Sequence, residues 1–583
     1  MKILFIHNNN FPLPIRRLLY QLQTYKVVTV SIDPTNGDDC DSFIDKTLPS
    51  IFNTDNTEEL PEFYDLIVLP FTFSDYDPLE YSGIRFAAHI RLDNRYNNAR
   101  TPILFLGPDK LEEVLRLSRF GSFLLTPGVY LSDANTEVFF NELDSNRYNL
   151  HRISDAEYSI LLNRFEVKPA ANYLDSHHSE TNRWSLLRWR EMFDWGESKP
   201  QLDSTVDAFK RSLYFKWLQV KIGEREHFNK LRQKEKNVNI PNINGKAIVF
   251  IDDEVSLGWG SILDKIFKNS NASFTVFEDY DIHYSREQLV DSIKQFIDVN
   301  SNADCFILDL RLHGEDHSKD YKRFGGHQIA SYIYEKNHGA QIVIFTASEK
   351  VMNYTESERF FSDYVMKENP RDLLGRKESR EKFDEFARAI QKACSNAYLR
   401  DYYSFIREKS KLYAEDYFDY LYDFFEILRN DEPFYHNINM RSAALNLIVF
   451  IEEFILKRYE IQEGRYIVSI QGNFIKEQVS DLYIKYINPP VFEEHIGRRP
   501  PGNEYRKIAE KPTDIGTVCS ALYLLYDIGI NDVNKVLLLK DIRNKSVAHG
   551  NDGPVKIEKG LLKDIFECVV KPLLSKTTSI CQP

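Results

Sequence analysis

The chain has 583 residues, of which 43% are hydrophobic and 28% charged, with 74 Lys plus Arg against 87 Asp plus Glu and a formal net charge of −13. At about 150 residues per folding unit this length predicts roughly four domains, and the ordinary apolar and charged fractions exclude disordered, collagen-like and coiled-coil classes. The negative balance excludes a surface that is basic throughout, as a general nucleic-acid coat requires, but leaves room for a local basic groove.

The opening MKILFIHNNNFPL carries one Lys and a short apolar run, so it reads as a first strand and not as a signal peptide. No window approaches about 18 uninterrupted apolar residues, which predicts no membrane span. The six cysteines are scattered with no C-x-x-C pair, a pattern expected of reduced thiols in a cytoplasmic protein.

Residues 1–150 contain five short apolar runs: KILFIH, VVTVSI, YDLIVLPF (Tyr64–Phe71), TPILFLG (Thr101–Gly107) and FGSFLLTPG (Phe120–Gly128). Such runs, separated by helix-length polar stretches, predict βα units around a parallel sheet covered on both faces. Residues 151–240 change to helical periodicity and read as a connector ending in the turn-rich NVNIPNINGK (Asn237–Lys246). Within it, Trp184, Trp189 and Trp195 read as a packing stripe, and His177–His178 lack further ligands at metal-site spacing.

Strand runs resume in residues 241–380 with AIVFIDDE, FTVFEDY, ADCFILDLRL, AQIVIFTAS and FSDYVMKENP. Residues 381–583 are expected to be all helical, including KEQVSDLYIKYI and KVLLLKDIRNKSVAHG. The predicted class is multidomain, α/β plus all-α: two five-stranded parallel-sheet domains of flavodoxin-like (βα)5 type, a helical connector and a C-terminal helical bundle.

The chemistry concentrates at two places. Asp252 and Asp253 follow the first strand of the second α/β segment, Asp309 ends the third, Thr346 the fourth and Lys367 the fifth. In an open parallel sheet these positions face one crevice beyond the carboxyl ends of the strands. Three carboxylates there call for a hard divalent cation, and Mg²⁺ accepts carboxylates, waters and phosphate oxygens. A carboxylate can also attack a phosphoryl donor while a metal and an ammonium stabilise the transferred oxygens.

This set resembles the receiver domain of two-component response regulators over about 125 residues. IDDE corresponds to the acidic pair, LDLRL to the phosphoacceptor strand, FTAS to the switch hydroxyl and YVMK to the terminal Lys. The resemblance implies phosphorylation of Asp309 by a histidine kinase or another phosphodonor, Mg²⁺ on Asp252, Asp253 and Asp309, and a switch through Thr346, Tyr364 and Lys367. Two departures stand out: Glu368 follows the Lys where the family usually has Pro, and the loop after Asp309 is long and acidic. The N-terminal segment resembles a degenerate receiver, with His7 and Asn8 at the acidic pair, Pro70 or Phe71 near the acceptor position and Thr126-Pro127 in place of Lys-Pro. Docking or dimerisation is its expected role; Asp75 and Asp77 read as a solvated loop.

The second place is RNKSVAH, with Arg543, Asn544 and His549 expected on the last turns of a helix that begins at Val536–Leu539 and stops at Gly550-Asn551. Arg binds phosphate bidentately and His exchanges protons near neutrality, a pair sufficient for metal-free attack of an RNA 2′-OH on its own phosphate. The segment resembles the HEPN superfamily of helical ribonucleases and toxins. That resemblance implies an endoribonuclease site built across a homodimer, and by analogy a part in stress or antiphage defence. Residues 536–583 hold eight Lys/Arg against five Asp/Glu, and the loop GRRPPGNEYRK offers Arg498, Arg499, Tyr505, Arg506 and Lys507 as a backbone-tracking RNA element. No DNA-binding motif is present. The competing expectation is a non-enzymatic, phosphorylation-dependent adaptor whose helical domain only dimerises or binds a partner.

Overall fold

The computed structural model describes residues 2–7, 26–29, 40–52, 63–73, 81–107, 110–132, 150–167, 177–193, 210–225, 238–281, 283–316, 321–347, 360–369, 376–413, 416–429, 436–462, 465–470, 473–478, 481–495, 499–548 and 557–580. The N-terminal unit is a parallel sheet of β1 (Ile3–His7), β2 (Lys26–Thr29), β3 (Leu66–Pro70), β4 (Ile103–Leu106) and β5 (Val129–Ser132), in the order β2-β1-β3-β4-β5. β1, β3 and β4 are buried along their whole length, as a sheet covered on both faces requires. Its helices are α1 (Cys40–Ile51), α2 (Ser82–Leu92) and α3 (Leu111–Leu117).

The last strand differs from the sequence expectation. Phe120–Gly128 forms a 3-10 helix over Gly121–Leu125, and β5 starts only at Val129. Pro127 has no N–H to give to a ladder, and Gly128, at φ 73°, turns the chain into the sheet. Thr126 and Pro127 therefore sit before β5, and Ser132 stands at its carboxyl end.

The connector contributes α4 (Asp155–Arg164), α5 (His177–Met192) and α6 (Leu213–Arg225). A Ser154–Glu157 capping box starts α4. Trp184 stacks on Phe215, joining α5 to α6. Lys216 of α6 reaches Asp45 (2.6 Å) and Asp93 (3.0 Å), and the backbone N–H of Leu213 donates to Asp41, tying the connector to the N-terminal unit. Trp195 lies outside the described residues, as do the side chains of His177 and His178.

The second α/β unit repeats the first topology with β6 (Ala247–Ile251), β7 (Ser273–Val276), β8 (Cys305–Leu308), β9 (Ile342–Thr346) and β10 (Asp363–Met366), ordered β7-β6-β8-β9-β10 and all parallel. α7 (Trp259–Asn269) and α10 (Arg376–Asn396) cover one face, and α8 (Arg286–Val299) and α9 (Gly325–Lys336) the other. Residues 348–359, between β9 and β10, lie outside the described residues.

The C-terminal region is helical but not all-α. α11 (Tyr398–Tyr413), α12 (Asp419–Arg429) and α13 (His436–Leu456) lead into β11 (Tyr459–Gln462), β12 (Arg465–Ile470), β13 (Asn473–Gln478), β14 (Leu482–Lys485), β15 (Val491–Glu494) and β16 (Tyr505–Lys507). These form two three-stranded antiparallel sheets, β11-β12-β13 and β15-β14-β16. The helix expected over KEQVSDLYIKYI is thus two strands, β13 and β14. Its Tyr and Ile are strand formers, and the polar-apolar spacing of so short a run fits a pleat as well as a helix. α14 (Asp514–Leu524), α15 (Ile530–Ala548), α16 (Lys559–Ile565) and α17 (Lys571–Ile580) complete the region, with a π-helical turn at Phe566–Val570.

Candidate functional site

β6, β8, β9 and β10 end side by side, and the residue at or just past each end is polar: Asp252, Asp309, Thr346 and Lys367. The parallel register aligns Ile251 with Leu308 and Thr346 with Met366, so the four side chains leave the sheet along one edge. Gly326, opening α9, lets the backbone close over that edge; a Cβ there would lie 2.0 Å from the Asp309 carbonyl oxygen.

Lys367 Nζ donates to Asp252 Oδ2 at 2.7 Å and to Asp309 Oδ2 at 3.1 Å. Thr346 Oγ1 donates to the other Asp309 oxygen at 2.7 Å, and the backbone N–H of Arg311 donates to it at 3.2 Å. The N–H of Glu254 donates to Asp252 Oδ1. The Lys367 ammonium also lies 5.2 Å from the Trp259 ring centroid and 5.0 Å from that of Phe345. All four polar side chains are buried. Burial, reinforced by the charge of Asp309, raises the Asp252 carboxyl above its ordinary range although Lys367 pulls it down. Burial opposes the Lys367 charge, but Asp252 and Asp309 outweigh it and hold the ammonium well above its ordinary value.

Asp252, Asp253 and Asp309 each offer an oxygen within 4.8 Å of the others. A hard divalent cation fits such a set, since three carboxylate oxygens at that spacing match its preferred donors and neutralise their repulsion. Tyr364, half-buried on β10, packs against the hydrophobic cluster on the α8–α9 face of the sheet, as Phe360 and Phe361 do.

One partner in this pocket gave no sequence signal. Asn182 of α5 accepts a short hydrogen bond from Lys367 Nζ through Oδ1, 185 positions away in the chain. One turn on, Ser185 Oγ donates to the Glu368 carbonyl at 3.1 Å. Arg188 pairs with the Glu368 carboxylate at 3.5 Å and donates to Ser379, while Trp189 packs against Trp259, Phe345, Phe383 and Phe386. Burial pushes the Glu368 carboxyl up to about 7 against the opposing pull of Arg188 and Ser379.

The two halves of the Arg–His motif have different standing. α15 begins at Ile530, ahead of the expected Val536 start, and ends at Ala548; His549, like Gly550 and Asn551, lies outside the described residues. Arg543 pairs with Glu452 of α13 at 2.9 Å, and Lys540 holds the other oxygen of the same carboxylate. Asn544 is exposed. Arg543 lines a cleft of about 230 Å³ with Arg441, Ser442, Ala444, Leu445, Ile542 and Ile557.

In the basic loop, Arg498 lies outside the described residues and Arg499 and Arg506 are exposed. Lys507 pairs with Asp481 at 2.7 Å, and Tyr505 is half-buried against His495 with Lys485 over its ring. In the N-terminal unit, His7 ends β1 and Pro70 ends β3, so an imidazole and a prolyl ring stand where the second unit has carboxylates. Asn8, Asp75 and Asp77 lie outside the described residues.

Residues 23–132 match the inactive receiver domain family. The match spans β2 to β5 and ends with Ser132, the last residue of β5. No curated protein matches the chain.

Proposed function

Starting from an inactive receiver domain in the N-terminal unit, we propose that the chain is a signalling protein whose second α/β unit, a flavodoxin-like (βα)5 receiver, is the one that accepts a phosphoryl group. The observation that carries this reading is the Asp252–Asp309–Thr346–Lys367 cluster at the carboxyl edge of the second sheet. One Asp309 oxygen forms the new bond to phosphorus as the donor's bond to phosphorus breaks, and the leaving group departs with that electron pair. The donor is a phosphohistidine of a kinase or a small acyl phosphate. Lys367 and Thr346 hold the carboxylate and then face the transferred oxygens, which they stabilise by charge and hydrogen bonding. A Mg²⁺ ion held by Asp252, Asp253 and Asp309 would neutralise charge on those oxygens.

The output is assigned to residues 381–583 as a HEPN-like, metal-independent endoribonuclease in a homodimer, with Arg543, Asn544 and His549 as its catalytic residues, Arg498, Arg499, Tyr505, Arg506 and Lys507 as its RNA-binding residues, and a defence or stress role. A specific observation favours the second reading, a phosphorylation-dependent adaptor with a catalytically silent C-terminal region. Arg543 is paired with Glu452, which lowers its availability to a phosphate. The test is RNA cleavage by the full-length protein in EDTA, comparing wild type with His549→Ala, with and without prior acetyl phosphate and Mg²⁺. Cleavage by wild type and its loss in the variant supports the nuclease; no cleavage in any arm leaves the adaptor.

A further inference from the structure

We propose that α5 is a latch on the acidic pocket: Asn182 occupies, on Lys367, the position that an oxygen of phosphoryl-Asp309 would take, so that docking of α5 and phosphorylation of Asp309 exclude one another. This rests on the reading of Asp309 as a phosphoryl acceptor. An ammonium has three N–H donors, and Lys367 directs them to Asp252, Asp309 and Asn182. A phosphoryl oxygen therefore needs one of these acceptors to leave. Asn182 is the only neutral one of the three, and an anionic phosphoryl oxygen in its place adds a charge–charge attraction to the ammonium that an amide oxygen lacks. The Asn182 amide nitrogen has no hydrogen-bond partner among the described residues, so its position is held by the one bond to Lys367 and by the helix that carries it.

Access points the same way. Asn182, Asp252, Asp309 and Thr346 are each 0% exposed, so a phosphodonor reaches Asp309 only after the packing over the pocket opens, and Asn182 of α5 is part of that packing. The helix is built to seat there and to leave as a unit. Asn182, Ser185 and Trp189 share one face at helical spacing, meeting Lys367, the Glu368 carbonyl and the Trp259–Phe345 pair in turn. On its other side Trp184 stacks on α6, and α6 is tied to the N-terminal unit through Lys216. Release of α5 therefore changes the seating of the inactive receiver against the second α/β unit.

The test uses full-length protein with beryllofluoride and Mg²⁺ as a non-covalent phosphoryl mimic, titrated by the fluorescence of the tryptophans that flank the pocket. Asn182→Ala is expected to bind the mimic about fivefold to tenfold more tightly than wild type, as loss of one competing hydrogen bond implies. Arg188→Ala, which loosens α5 without touching Lys367, shifts affinity in the same direction and carries the test if Asn182→Ala does not fold. In wild type, amide hydrogen exchange of residues 181–192 rises on saturation. Unchanged or weaker binding by the variants overturns the latch, as does unchanged exchange in that helix, while leaving the acceptor reading intact. Binding by wild type that persists in Asp309→Ala, or no binding in any form, removes the acceptor reading and the latch with it.

Discussion

Removing the ammonium of Lys367 would take away the cation that the buried Asp252 and Asp309 share. Breaking a buried pair in this way costs about 3–5 kcal/mol, so Lys367→Met is expected to lower the urea midpoint of the unit well below that of Thr346→Val, measured side by side. Glu368 makes a pH-dependent contribution of the opposite kind. Its folded pKa, about 7, lies above the value of 4.5 for the free side chain. Stability from the protonated carboxyl is therefore fully present below about pH 4.5, falls as pH rises toward 7 and stays low above it. The full span is about 3 kcal/mol, and Glu368→Gln should flatten the urea midpoint between pH 5 and 8; equal slopes in both proteins would sink the idea. Residue identities at the strand ends were readable from the sequence because an apolar run must stop where the sheet edge meets solvent or a pocket. The burial of Glu368 was not readable, since only the arrival of Arg188 and α10 seals it.

α5 and the strands of the C-terminal region show what periodicity can and cannot assign. The Trp stripe of α5 marks a helix with apolar faces, but its mean composition is polar and nothing in it names the partner. Trp189 packs against four aromatic rings. Trp189→Ala is expected to cost about 3–5 kcal/mol through the cavity it leaves and to speed amide exchange across residues 181–192 while leaving α13 protected. Strands β11 to β16 escaped the sequence reading for a different reason. They are three to six residues long, and over so few positions the helix and strand templates overlap. Gln471-Gly472, between β12 and β13, was the turn signal that could have separated them.

At the scale of the whole molecule, one hydrophobic cluster runs from the N-terminal sheet through the connector to the α7–α10 face of the second sheet, while residues 399–574 build a separate one. The C-terminal region meets the second unit at the opposite end of the sheet from the acidic pocket. There the buried Arg429 donates to the carbonyls of His338 (2.7 Å), Ala340 (3.3 Å) and Phe360 (2.6 Å), and Arg400 donates to Ala303. Arg429→Ala strands these carbonyls, each of which costs about 1–3 kcal/mol when unsatisfied. It should separate a calorimetric transition of the C-terminal core from that of the first two units; a single unshifted transition would rule out this contact as the coupling point. What the sequence determined by itself was local: where apolar runs alternate with helices, and which polar residues sit at strand ends. The tertiary structure alone decided that Asn182 closes the pocket around Lys367. That contact joins residues far apart in the chain through a single amide, and a lone polar residue on an amphipathic helix has no periodic signature until its partner is in place.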